Sequence, residues 1–182
     1  AIPFILSLAI GLAVEVPALS ESGFSPYVDE AGNISRPENF RTTLVHLGSW
    51  FVPAGGASGF HDVYANRDAV EVYRKNGQFP DGAVLVKELR ASHGDDYTTG
   101  KNVQSATSET KQWFVMVKDK EGRFPDNALW GEGWGWAWAL FKPDKPAVNV
   151  ATDFRRDCLG CHIPAQSTDW VYSSAYPTLG GQ

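Results

Sequence analysis

Cysteine is scarce in this chain: its 182 residues hold two, at positions 158 and 161, alongside a single Met at 116. So few thiols exclude a disulfide-built scaffold, and leave the pair as one bridge, half of a metal site or a covalent attachment point. Cationic excess is also missing. Sixteen Lys+Arg stand against 21 Asp+Glu, for a net charge of −5, which argues against nucleic-acid binding because that needs a cationic face. No stretch approaches the roughly 20 apolar residues of a bilayer-spanning helix. What the chain does have is apolar mass. Hydrophobic residues make up 43% and charged residues 20%, enough for a sizeable core, so the chain is not of the disordered class. The length suits one domain, or one domain with an appendage.

Residues 1–18 form an apolar segment interrupted by Pro3, Gly11 and Pro17. It is too short to span a bilayer and matches the apolar stretch of an export signal, with Val16-Pro17-Ala18 predicting cleavage after Ala18. The alternatives are a buried N-terminal helix, a lipid anchor or a docking helix. Residues 19–36, rich in Ser, Gly, Pro and Asn, read as a coil leading into a domain over 37–182.

Within that domain the patterns predict strands over Thr42–Val52, Phe60–Ala65, Ala83–Leu89, Gln112–Val117 and Trp134–Phe141. A short helix is expected over Arg67–Lys75, stopped by Asn76-Gly77, and a helical turn or two within Val150–Asp157. The turn Gly77-Gln78-Phe79-Pro80-Asp81-Gly82-Ala83 is echoed by Gly122-Arg123-Phe124-Pro125-Asp126-Asn127-Ala128, one turn chemistry used twice rather than a repeat architecture. The fold class expected is β-rich α+β, a single antiparallel sheet with a few short helices. Seven Trp residues suggest a binding platform at first sight. Trp134, Trp136 and Trp138 alternate with Gly135, Ala137 and Ala139, however, and large aromatics on one strand face are explained more simply as core. The small opposite face lets a flat macrocycle or a second backbone come close.

Cys158-Leu159-Gly160-Cys161-His162 fits C-x-x-C-H, the attachment signature of c-type haem. Two residues between the thiols put both on one turn, where each can form a thioether with a haem vinyl group. The following His162 then reaches the iron as an axial ligand. A zinc site would need further cysteines, with His46, His61 and His93 completing one only by coincidence. A redox-active pair normally opens a helix after a strand of a parallel sheet, whereas this one comes late in an antiparallel chain. The sixth iron position is open to question. Met116 is the one candidate Met, but it sits mid-strand where core packing explains it, so a five-coordinate or weakly closed iron is expected, with ligand chemistry rather than simple electron relay.

Lys87 breaks the pattern of its own strand. Alternation places it in line with Ala83, Leu85 and Leu89, with Val84, Val86 and Glu88 opposite. A buried lysine is a poor core residue but a good nucleophile once neutral. The alternative is a lysine that snorkels at a strand end or guards an edge.

The stretch Asp81-Gly82-Ala83-Val84-Leu85-Val86-Lys87-Glu88-Leu89, the strand Trp113–Asp119, the Trp-rich strand, and the late C-x-x-C-H followed by Thr168-Asp169-Trp170-Val171-Tyr172 together resemble the cytochrome P-460 family. The resemblance runs roughly from Pro37 to Leu179. It implies a β-rich fold, a periplasmic location, a five-coordinate c-type haem and a homodimer. It also implies redox chemistry on a small nitrogen compound, hydroxylamine or nitric oxide, with a soluble cytochrome taking the electrons. Hydroxylamine-oxidising members carry a lysine bonded to the porphyrin edge, which by motif position is Lys87. A related branch, cytochrome c′-β, lacks that bond, has a hydrophobic distal pocket, and binds nitric oxide and carbon monoxide without catalysis. The distal carboxylate of the oxidising group aligns with Phe114, and Glu109 lies too far upstream to replace it. The distal arginine position falls on His61, just ahead of Asp62, where an imidazole can act as acid or base near neutral pH; the alternative is an ordinary half-exposed strand residue. Phe114 favours small apolar ligands, closer to the gas-binding branch.

Overall fold

Stretches rich in Val, Trp and Phe, separated by turns bearing Gly and Pro, become five strands of one sheet. The computed structural model describes residues 24–131 and 133–180; the export signal expected over 1–18 lies outside them. The strands are β1 (Val45–Val52), β2 (Gly59–Ala65), β3 (Val84–Tyr97), β4 (Gly100–Lys118) and β5 (Trp136–Phe141). Their spatial order equals their chain order and every pairing is antiparallel. The helices are short: α1 (Phe40–Thr43), α2 (Arg67–Asn76), α3 (Phe154–Asp157) and α4 (Leu159–His162), followed by three 3-10 turns. The expected β-rich α+β class with a single antiparallel sheet is what the chain adopts.

Both faces of the sheet are covered, and the period-two alternation sorts side chains between them. On one face Val84, Val86, Val115, Val117, Ala137 and Ala139 pack with Ile34 and Phe40 of the N-terminal segment. On the other, Leu85, Met116, Trp136 and Trp138 pack with α2 and with Phe154, Trp170, Val171, Tyr176 and Leu179 of the C-terminal segment. That second face carries the site. The Trp stripe is therefore core, as its spacing indicated. At the outer edge of β5 a further segment pairs: Trp130 bridges to Ala137, and Trp138 N–H donates to the Leu129 carbonyl at 3.0 Å.

Three boundaries differ from the sequence reading. Thr42 and Thr43 join the helical turn α1 instead of β1, because both hydroxyls donate to the Asn39 carbonyl at 3.0 and 2.9 Å. Trp134 and Gly135 precede β5, since Gly135 turns left-handed at φ 69°. The largest difference is the hairpin. β3 and β4 run on through residues 90–111, polar and without alternation, with register shifts at Leu89/Arg90, Arg90/Ser92 and Asp95/Tyr97. A ladder already nucleated between neighbours needs no buried face to continue, so periodicity carries no sign of it. Helix α2 ends as expected, with Gly77 left-handed at φ 69° and its N–H on the Tyr73 carbonyl.

Candidate haem-binding site

Register brings the candidate residues together. Reading across the sheet from β1 to β4, one row is Trp50, His61, Leu89 and Gln112. The next, from β2 to β5, is Val63, Lys87, Phe114 and Leu140, and a third is Ala65, Leu85, Met116 and Trp138. These side chains share one face because each is an even number of residues from its strand neighbours in the set. All but Ala65 wall a cavity of about 350 Å³ that is closed by Cys158, Cys161 and His162 from α3–α4 and by Val171, Tyr172 and Tyr176 from the turns after them. The volume lies within the usual range for ligand pockets.

The C-x-x-C-H segment is seated by local chemistry. Asp153 caps α3 by accepting the Arg155 N–H at 2.8 Å, and Phe154, 1% exposed, anchors it in the core. Cys158 then continues the turn onto the Phe154 carbonyl, and Cys161 N–H reaches the Cys158 carbonyl at 3.3 Å. Both thiols are free and both border the cavity. Burial pushes the Cys158 thiol up to about 12, unlike the lowered pKa of a redox-active cysteine.

His162 lies edge-on to Trp138 with ring centres 4.6 Å apart. Its Nδ1 is 2.7 Å from the Trp170 carbonyl oxygen. A carbonyl only accepts, so Nδ1 carries the hydrogen and Nε2 offers its lone pair, the arrangement of a metal-binding histidine. Burial holds its pKa down to about 4, keeping it neutral.

His61 is 5% exposed and stacks on Trp50 at 5.2 Å, while Trp50 stacks on Tyr176 at 5.8 Å. The same tautomer logic applies in reverse. Its Nε2 is 2.7 Å from the Ala57 carbonyl and so holds the hydrogen, leaving Nδ1 as a lone pair with no partner among the described residues. Burial lowers its pKa. Lys87 places its amine 4.1 Å over the Phe114 ring, and no described residue accepts a hydrogen bond from it. Burial is the main cause of its lowered pKa, opposed by the two nearby cysteines.

Among the lining residues the carboxylate is Asp157, which Arg156 engages at 2.7 Å. Phe114 lines the cavity, and Glu109 is exposed on the hairpin. Asp62 points to the opposite face, bound by Ser49 at 2.5 Å and Arg90 at 2.7 Å. Three participants escaped sequence reading: Trp50, Tyr176 and the unpartnered indole Nε1 of Trp138. The first two carried no motif at all; the third lay in the Trp stripe, where spacing speaks of burial and not of a free donor.

The residues fit a covalently held haem. Two free thiols and a neutral imidazole with an available Nε2 border one apolar cavity, and Trp138 Nε1 and His61 Nδ1 are buried there without protein partners. A sheet face closed by a C-x-x-C-H segment is consistent with a protein of the c-type haem class. The cytochrome P460 family model matches residues 37–173, and the chain belongs to that family. The family implies a c-type haem, with which the Cys158/Cys161 arrangement is consistent. No curated protein matches the chain.

Proposed function

We propose that the protein is an exported, periplasmic mono-haem cytochrome with an open iron position that performs redox chemistry on a small nitrogen compound, hydroxylamine or nitric oxide. Cys158 and Cys161 are the thioether anchors and His162 the axial ligand. When bound, the haem supplies a site for the nitrogen atom and a route for electrons, which pass to a soluble cytochrome. Pairing of two chains into a homodimer belongs to the same reading.

The observation that carries it is His61: a neutral, buried imidazole with an unpartnered lone pair at the wall of an apolar cavity. Such a group takes protons from a substrate that is being oxidised, where the family's carboxylate is replaced by Phe114. Trp50 stacks on the ring and the Ala57 carbonyl fixes its tautomer, so the base is held in one orientation. Lys87 is the amine available for a bond to a porphyrin edge carbon. Forming that C–N bond removes two hydrogens, one from each partner, and needs a two-electron oxidant of the peroxide class.

A second reading, a non-catalytic nitric-oxide scavenger, draws on Phe114 and on an apolar cavity without a free carboxylate. Steady-state assays with hydroxylamine and an artificial electron acceptor separate the two. Turnover supports the redox reading. Its absence under both aerobic and anaerobic conditions, with tight nitric-oxide binding retained, favours the scavenger. A third reading, plain electron transfer, puts Met116, which also borders the cavity, on the iron. A six-coordinate, low-spin spectrum with a Met or His sixth ligand would overturn the open site.

A further inference from the structure

Behind His162 the chain does something uncommon. Asp169 and Trp170, neither of them glycine, are consecutive left-handed residues with φ 59° and 65°. L-residues resist that conformation, so two in succession persist only where their surroundings hold them. Asp169 ends the 3-10 turn Ile163–Thr168, and the double left-handed step turns the Trp170 carbonyl onto His162 Nδ1.

The holding groups come from the far end of the sheet. Lys118 of β4 and Trp136 of β5 are register partners. Both converge on Asp169: the Lys118 ammonium donates to its carboxylate at 2.6 Å, and the Trp136 indole donates to its backbone carbonyl at 2.9 Å. Lys118 is 7% exposed and Trp136 1%, so neither gives way easily. Its ammonium also lies 4.9 Å from the Trp136 ring centre. Trp170 is locked from the other side, its N–H on the Ala165 carbonyl at 2.8 Å and its ring 4.0 Å from that of Trp134.

We infer that Asp169 is a positioning residue for the iron ligand: clamped by Lys118 and Trp136, it holds the left-handed turn that aims the Trp170 carbonyl at His162, and so sets how strongly His162 donates to the iron. This rests on the reading of His162 as the axial ligand. The chemistry is that of outer-shell control, in which a hydrogen bond to the far nitrogen fixes the ring and raises its basicity. Asp suits the position twice, since it tolerates the left-handed region better than most residues and gives the buried lysine its counter-charge.

The test uses the haem-loaded ferrous protein and two readouts that a merely structural role would not move, the iron–histidine stretch by resonance Raman and the midpoint potential. Asp169→Ala, which loses the clamp and resists the left-handed turn, shifts the stretch to lower frequency and the potential upward. Asp169→Asn keeps an oxygen for Lys118 and tolerates the turn, and falls between wild type and Asp169→Ala. Trp136→Phe removes one donor while keeping the ring, and shifts both readouts in the same direction; it decides the matter if Asp169→Ala does not fold. Wild-type values in the variants that fold, or a larger shift in Asp169→Asn than in Asp169→Ala, would overturn the inference. In a five-coordinate ferrous wild type, absence of the iron–histidine stretch defeats instead the assignment of His162, and the inference with it; where a sixth ligand silences the stretch, the midpoint potential decides.

Discussion

The Lys87 amine stands 4.1 Å from the centre of the Phe114 ring, its register partner on the neighbouring strand. Two effects oppose each other there. The ring face attracts the ammonium form, whereas burial in an apolar cavity favours the neutral amine. Burial wins, and the pKa is lowered. A lowered pKa brings within closer reach the neutral, nucleophilic amine that a bond to a porphyrin edge requires.

Digestion of the haem-loaded protein is expected to release the Lys87 peptide joined to the peptide of Cys158 and Cys161. In Lys87→Leu the corresponding peptides separate and the visible spectrum returns to that of an ordinary c-type haem. Separate peptides in the wild type would show that the amine stays free.

His61 is expected to matter for turnover more than for ligand capture. Removing a positioned general base costs about 10²–10⁴-fold in rate, so His61→Ala lowers hydroxylamine turnover by that order. Nitric-oxide affinity changes little by comparison, because binding needs no proton transfer. Equal losses in both assays would assign His61 a packing role against Trp50.

The acid limb follows from His162. Its pKa is held down to about 4 by burial, from an ordinary value of 6.5. A lowered value means that the folded protein keeps the imidazole neutral while the unfolded chain already binds a proton. The contribution to stability is thus fully present above pH 6.5 and is lost as pH falls towards 4. Ligation to iron holds the proton off further, so on the haem-loaded protein the histidine-ligated spectrum is expected to persist from pH 7 down to at least 4. A spectral midpoint near 6.5 would contradict this.

On the opposite face Glu88 is 0% exposed and accepts hydrogen bonds from Arg41 at 2.6 and 2.8 Å, from Thr110 at 3.0 Å and from the Trp113 indole at 3.0 Å. Glu88→Ala leaves those donors unpaired and a void behind, and is expected to cost about 3 kcal/mol by denaturant unfolding. Since Glu88 and Lys87 point to opposite faces, the haem spectrum is expected to stay unchanged. A spectrum that moves with the stability loss would show the two faces to be coupled.

Much of this was legible in the residues. The alternation in Ala83–Leu89 separated Lys87 from Glu88, the Trp spacing marked core, and the resemblance reached the family. The hairpin over residues 90–111 was not, because exposed polar strands have no periodicity to read. His61 and Asp62 could be named as neighbours, yet which of them faces the cavity depended on the register of β2 against β3. The clamp on Asp169 left no local signal, since its partners lie 51 and 33 residues away.

By itself the sequence determined the chemistry on offer: two thiols and an imidazole at fixed spacing, and a lysine out of pattern. Spacing within a few residues is set by local geometry, so these survive without knowledge of the fold. Only the tertiary structure decided what meets what. Strand register put His61, Lys87 and Phe114 on one wall, and carbonyls of Ala57 and Trp170 chose which nitrogen of each histidine is free. Such choices depend on groups distant in the chain brought within hydrogen-bond reach, and no local pattern encodes that distance.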